Sequence, residues 1–371
     1  MEWQLIESDA ALRQVLVDEA GSDAVAVDTE FMRRNTFYPQ VALVQLCFSE
    51  RAWLIDPLAL EDPAPLADLL TDPALVKVIH SASEDLEVFQ RWLGVLPTPL
   101  FDSQRAAALL DRGFGTGYRA LVLDLLGVDL PKGETRSDWL QRPLTESQCE
   151  YAAQDVAWLL PVWERLRGEC EAAGKLEWVL ADGGAAVESL AGPDGDHYLR
   201  IKNAWRLDRR QLGTLMAVCE WREQTARRRD KPRNWIIDDR ACLELARCSA
   251  RTRAELGAGV DLPPPVLRRH GEELLALLEA QRRVPESELP DRLPPPLEPA
   301  QRQQLKQLRE YAREIARQLE IAPEALLQSR DYEILLREAH GEAVQQPLHW
   351  RGWRAQTVIE PLRKRLGQGA P

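Results

Sequence analysis

The stretch "VAVDTEF", residues 25–31, begins as a buried strand and ends in acid. Val25 and Val27 are β-branched and favour a pleated, half-buried surface. Asp28 and Glu30 follow, with only Thr29 between them. Residues two apart on a strand share a face, so the two carboxylates point one way and Thr29 the other. Side by side they repel, and a strand that is only structural gains nothing from the pair. An Arg or Lys partner, a shared proton or a divalent cation would resolve the repulsion. A solvated edge pair is the plainer reading, and a lone D-x-E does not exclude it.

Outward from this stretch, residues 1–195 alternate strand and helix patterns. "VALVQLCF" (41–48), "AWLIDPL" (52–58) and "VKVIH" (76–80) are short β-branched runs bounded by turn residues. "PAPLADLLTD" and "SASEDLEVFQRWLG" read as helices, the second with Ser81 and Glu84 at capping-box spacing and Gly94 placed to stop it. "FDSQRAAALL", "YRALVLDLLG" and "ESQCEYAAQDVAWLLPVWERLRGECEAAG" carry apolar residues at helical spacing. The order predicts an α/β domain, a mixed sheet flanked by helices.

After about residue 195 the strand signal stops. "RRQLGTLMAVCEWREQTARRRD", "DRACLELARCS" and "PPVLRRHGEELLALLEAQRR" predict one all-α group over 207–287. "VPESELPDRLPPPLEP" has little apolar surface and reads as a stiff linker, set at 288–299. A second helical group of similar length follows over 300–366.

The average charge of −12 argues against a polyanionic partner, but it hides an asymmetry. Residues 200–371 carry 32 Lys+Arg against 25 Asp+Glu, and residues 1–199 carry 15 against 34. A basic half joined to an acidic half suits a chain that meets a polyanion through one part only, and equally two unrelated solvated surfaces. No apolar run reaches the ~18 residues of a membrane span. The opening "MEWQLIESDA" has neither a basic nor an apolar signal region, so no signal peptide is expected. Six cysteines without a CxxC pair fit reduced thiols in the cytoplasm and argue against zinc.

Two further acids fall within the α/β part. Asp85 stands in the first turn of the helix after "VKVIH", where an acid also suits the helix dipole. Asp155 lies at the edge of an apolar helix face, with Tyr151 four residues earlier on the same face; a hydrogen-bonded core pair explains that spacing equally well. Together Asp28, Glu30, Asp85 and Asp155 offer hard oxygen ligands from separate elements, the set that Mg²⁺ or Mn²⁺ takes. Two such ions serve phosphodiester cleavage, and Tyr151 is suited to orient the attacking water.

At this point the sequence resembles a known family. "DTEFMRRNTFYPQVALVQL", "HSASEDLEVF" and "YAAQDVAWLLPVW" look like the three exonuclease motifs of the DEDD superfamily, in its Tyr-type branch. "RSDWLQRPLTESQCEYAAQDV" is similar to the ribonuclease D family, and "WREQTARRRDKPRNWIIDDRACLELA" looks like an HRDC domain, of which that family carries two. The resemblance implies an RNase H-like fold followed by two HRDC domains. It also implies hydrolytic removal of nucleotides from RNA 3′ ends by two Mg²⁺, with Mn²⁺ as the other option. Asp28, Glu30 and Asp155 would hold the metal that activates water. Asp28 would also reach the second metal, Asp85 would support that site, and Tyr151 would orient the water. The implied substrates are tRNA precursors with 3′ extensions, and the expected state is a monomer. A DNA exonuclease with the same acids and a non-catalytic RNA-binding protein are the rival readings.

Other residues are read by position. Phe31 is either a wedge against a terminal base or core. His80 reads as a structural histidine. In "LPKGETRSDWLQRPL" (130–144), Lys132, Arg136 and Arg142 are candidate phosphate contacts, and Trp139 reads as the loop's packing anchor. In "TARRRDKPRNWIIDD" (225–239), Arg227, Arg228, Arg229, Lys231 and Arg233 form the densest basic run, with Trp235 as a stacking candidate. The same run also suits a helix C-terminus.

Overall fold

The computed structural model describes residues 2–131, 137–192 and 197–368. They fall into two compact units, one from the described parts of 1–32, 39–192 and 298–371, the other from those of 33–38 and 193–297.

The first unit is built on a six-stranded sheet, β1 (Glu2–Ile6), β2 (Ala24–Met32), β3 (Gln40–Cys47), β4 (Arg51–Ile55), β5 (Val76–Ile79) and β6 (Leu100–Asp102), in the order β1-β4-β3-β2-β5-β6. β3 runs antiparallel to both neighbours and the other pairings are parallel, so the sheet is mixed as expected. Two strands escape the sequence reading. β1 carries Glu2 and Gln4 among its five residues and is half exposed at the sheet edge, so it lacks an apolar pattern. β6 has three residues, too few for any periodicity, and runs directly into a helix.

Both faces of the sheet are covered. Val25 and Val27 join Val44, Leu46 and Ile55 under the helices α1 (Asp9–Asp18), α2 (Ala64–Thr71) and α3 (Ser83–Trp92). Ala24 and Ala26 join Leu43, Cys47 and Leu54 on the other face. That face meets α4 (Ser103–Leu109), α5 (Tyr118–Leu126), α6 (Glu146–Ala157) and α7 (Leu159–Ala172), and α8 (Leu176–Ala191) packs beside them. β2 is therefore apolar on both sides until Asp28, just past its last rung with β5 at Ala26, and the acids begin where only β3 still pairs with it.

The Ser81–Glu84 capping box does not form. Ser81 takes a left-handed backbone (φ 63°) and Ala82 is the N-cap of α3. The amides of Ser81 and Ala82 donate instead to the Asp102 carboxylate at 3.1 and 3.0 Å, and Asp102 also caps α4. Gly94, at φ +71°, follows the end of α3 as expected. The long helix read over 146–174 is two, α6 and α7, meeting at Trp158. Pro161 has no amide hydrogen to give Ala157, and its ring crowds that carbonyl.

The helices α14 (Pro299–Leu319), α15 (Pro323–Leu326), α16 (Ser329–Ala339) and α17 (Glu360–Gln368) also belong to the first unit, while α9–α13, between Arg209 and Arg282, build the second. Leu308, Ala312, Ile315, Leu335 and Leu362 share one buried cluster with the sheet face that carries Ala26. The amide of Ala322 donates to Ala108 O at 2.9 Å, and Lys175 Nζ bridges Leu109 O and Glu320 O, each at 2.9 Å.

The second unit is all helical, with α9 (Arg209–Arg229), α10 (Arg233–Ile236), α11 (Asp239–Arg247), α12 (Arg253–Gly259) and α13 (Pro264–Arg282) around Leu212, Leu215, Leu245, Leu256 and Leu274. Phe37 is buried in this core. The Pro-rich stretch is pinned rather than free at its start. Leu289 is buried, and Arg209 and Arg292 donate to the carbonyls of Pro290 and Leu207. Proline-rich backbone leaves its carbonyls without ladder partners, and the Arg209 guanidinium takes two of them, at Leu289 and Pro290.

Candidate active site

Carboxylate oxygens of Asp28, Glu30 and Asp155 all lie within 4.8 Å of one another. β2 supplies the first two from one face, as its alternation requires. α6 supplies the third, its start set by a Thr145–Gln148 capping box. Among the described residues no Arg or Lys pairs with any of the three. Burial and the neighbouring carboxylates push Glu30 up to about 8 and raise Asp28 well above the usual range. Burial pushes Asp155 up to about 7, against a hydrogen bond from Tyr151. Of the three remedies for adjacent carboxylates, a cationic side chain is thus absent among the described residues. A shared proton and a divalent cation remain. Three half-buried oxygen donors at this spacing fit a hard divalent cation.

Asp85 stands outside this tight group. Its Oδ1 accepts from Thr29 Oγ1 at 2.5 Å, and burial pushes it up to about 7 although that hydrogen bond opposes the shift. Thr29 faces away from Asp28 and Glu30 as read, but it is not idle there. It fixes an acid that still raises Asp28 electrostatically. A hydroxyl residue inside an apolar strand was the available signal.

Tyr151 lies one turn before Asp155 and donates its hydroxyl to that carboxylate. Burial, then Asp155 and Glu30, raise the phenol further above its usual value, so it is protonated at neutral pH. Its ring lies 6.1 Å from that of Trp139, which is buried as the loop's anchor. Tyr118 was not singled out from the sequence. Its hydroxyl donates to Gln154 O at 3.2 Å and accepts the Trp158 amide at 3.1 Å, which holds the α6–α7 junction next to Asp155. Only its place in an aromatic-poor helix start hinted at this.

The remaining residues divide. His80 is held by Ser103 Oγ at 2.9 Å beside the Tyr118 ring, and burial lowers its pKa, as befits a structural histidine. Phe31 is half-buried, at the register shift that follows Glu30. Arg142, read as a phosphate contact, is engaged internally. It forks onto Asp56 at 2.5 and 2.7 Å and donates to Ala42 O, Trp139 O and Gln141 O. Lys132 and Arg136 lie outside the described residues.

In the second unit the basic run splits. Arg227 and Arg233 both pair with the buried Glu223 and lie over the Phe37 ring. Asp230 accepts from the amides of Phe37 and Tyr38 at 2.9 and 3.0 Å. Arg228 leans on Thr225 and Glu273. Arg229 is exposed, and Lys231, bonded to Asn35 O, lies 5.9 Å from the ring of Trp235. Trp235 is 59% exposed, unusual for so large an apolar ring.

Residues 3–171 match the family described as 3′-5′ exonuclease, and residues 211–278 match the HRDC domain. A ribonuclease D of Pseudomonas paraeruginosa is 43% identical over 370 residues, covering 99% of this chain and 96% of its own. That of Escherichia coli is 37% identical over 382 residues, 99% of each chain. The crystal structure of Escherichia coli RNase D, described as an exoribonuclease involved in structured RNA processing, matches with a TM-score of 0.92 at 36% identity over all of both chains.

Proposed function

The chain belongs to the ribonuclease D family, and from that membership we infer how it works as a hydrolytic 3′→5′ exoribonuclease. The observation that carries the reading is the half-buried trio Asp28, Glu30 and Asp155, three converging carboxyl groups without a cationic side chain among the described residues. These three carboxylates hold a divalent cation, and Asp28 with Asp85 serves a second. Mg²⁺ is the expected ion and Mn²⁺ fits the same oxygens. When bound, such a pair supplies water activation and stabilises charge on the leaving oxygen. Tyr151, protonated and held by Asp155, orients the attacking water. The products are 5′-mononucleotides.

The substrate proposed is RNA with a free 3′ end, in the cell tRNA precursors with 3′ extensions. Arg228, Arg229, Lys231 and Trp235 form an RNA-facing surface of the HRDC unit, with cations for phosphates and a ring for a base. Phe31 meets the terminal nucleotide. The protein is proposed to work in the cytoplasm as a monomer. Among the described residues no helix is long and apolar enough to cross a membrane.

The test uses a 5′-labelled tRNA with a 3′ extension, a matched DNA, and Mg²⁺ or EDTA. A metal-dependent ladder on the RNA, absent in Asp155→Asn, is the expected result. Preference for the DNA would favour a DNA exonuclease. Binding without shortening would leave a non-catalytic RNA-binding protein.

A further inference from the structure

From Val41 to Cys47 every residue of β3 is apolar except Gln45. Gln45 is fully buried, and among the described residues neither its Oε1 nor its Nε2 has a hydrogen-bond partner. Buried amides are nearly always satisfied, so one with both ends unmet calls for a reason. Its place in the sheet supplies one. The β2–β3 register sets Gln45 directly opposite Asp28, and Leu54 of β4 is its neighbour on the other side. Opposed residues of an antiparallel pair present their side chains on one face, with Cβ atoms about 5 Å apart. Gln45 therefore shares the face of Asp28, within reach of its carboxylate. A Leu at this position would pack the strand as well as Leu43 does.

We propose that Gln45 is a positioning residue for the carboxylate site, its side-chain amide donating to Asp28 when that carboxylate is ionised around a divalent cation; the proposal rests on the metal-binding reading above. An ionised carboxylate has about four acceptor directions, and those not turned to a cation need donors. Gln45, opposite Asp28 and with its buried amide unpaired among the described residues, is placed to supply one. Partners of ligating carboxylates hold ligand orientation, and their loss typically weakens metal binding about 10- to 100-fold.

The test measures Mn²⁺ binding to metal-free full-length protein by electron paramagnetic resonance, for wild type, Asp155→Asn, Gln45→Met and Leu54→Met. Gln45→Met removes the amide at similar volume. Leu54→Met is a repacking control on the same face. The expected result is Mn²⁺ affinity about 10-fold lower or more in Gln45→Met and unchanged in Leu54→Met. The metal-free Tm of Gln45→Met should be equal to or above that of wild type, because an unsatisfied polar group has gone. Wild-type affinity in Gln45→Met, or equal loss in both Met variants, would overturn the proposal. Should Gln45→Met not fold, wild type decides alone. In ¹⁵N-glutamine-labelled protein the Gln45 amide resonance should move on Mg²⁺ addition, and a resonance that stays put would overturn the proposal. If wild type binds no Mn²⁺, or Asp155→Asn binds it equally well, the metal reading of the trio fails first and separately.

Discussion

Arg354, from the segment that leads into α17, lays its guanidinium across the carboxylate of Asp182 on α8, and both side chains are buried. Arg105 of α4 reaches the same carboxylate at 2.7 Å, and Trp353 donates to it at 3.2 Å while stacking on Trp178 at 4.5 Å. Removing one member of such a group strands a buried charge, at about 3–5 kcal/mol. Asp182→Ala is expected to lower the unfolding free energy by that order in urea denaturation. An effect below about 1 kcal/mol would mean the pair is solvated.

The same carboxylate carries a pH signature. Burial alone would raise Asp182, but Arg354 and Arg105 outweigh it and hold it below the usual carboxylate range. Its contribution is therefore full above the unfolded value near 4 and is lost as pH falls through the lower folded value. Wild type should lose stability on acidification to about pH 2–4 more steeply than Asp182→Asn.

The carboxyl groups of the candidate site have the opposite sign. Glu30 stands at about 8 and Asp155 and Asp85 at about 7, all raised by burial first. Without metal, the stability they contribute is full below about pH 4 and is lost as pH rises through 7–8. The Tm of metal-free protein should fall over that window, and saturating Mg²⁺ should remove the fall. A flat metal-free profile would show that the acids are ionised without strain.

Tyr151→Phe removes the hydroxyl that Asp155 accepts. With the attacking water unoriented, kcat should fall about 100-fold, the cost of a small misplacement of a reacting group. Mn²⁺ affinity should stay near wild type, since no ligand is lost. An unchanged kcat would remove Tyr151 from the mechanism.

The basic run should separate into two classes. Arg229→Ala and Lys231→Ala should each lower the salt slope of single-stranded RNA binding by about 0.7, and Trp235→Ala should cost about 1–3 kcal/mol of affinity. Arg233→Ala should instead lower stability, because it strips a partner from the buried Glu223. Filter binding at several salt concentrations, beside thermal melts, distinguishes them.

The carboxylates were legible because their spacing is a backbone fact. A two-residue strand repeat puts Asp28 and Glu30 on one face wherever the strand lies, and a four-residue helix interval stacks Tyr151 on Asp155. Residues whose partners are remote in sequence were not legible. Thr29 meets Asp85 across 56 positions, and Arg142 meets Asp56 across 86. Composition marked Arg142 as a free cation in a polar loop, and only the fold reveals its acceptors. Ser81 failed as a cap for a similar reason, since Asp102, 21 residues away, competes for the same amide. The edge strand β1 and the three-residue β6 have no period to read.

The buried cluster that joins the sheet to Leu308, Leu335 and Leu362 sets the order of events at birth. On a ribosome the sheet and α1–α8 emerge first, with part of their apolar flank bare. The helices that cover it follow only after residue 298. The intervening unit has its own core and can fold in the meantime, while the segment that bears the acids waits for the helices beyond residue 298. A nascent nuclease built this way completes the unit that bears the acids only after the unit it encloses has been made.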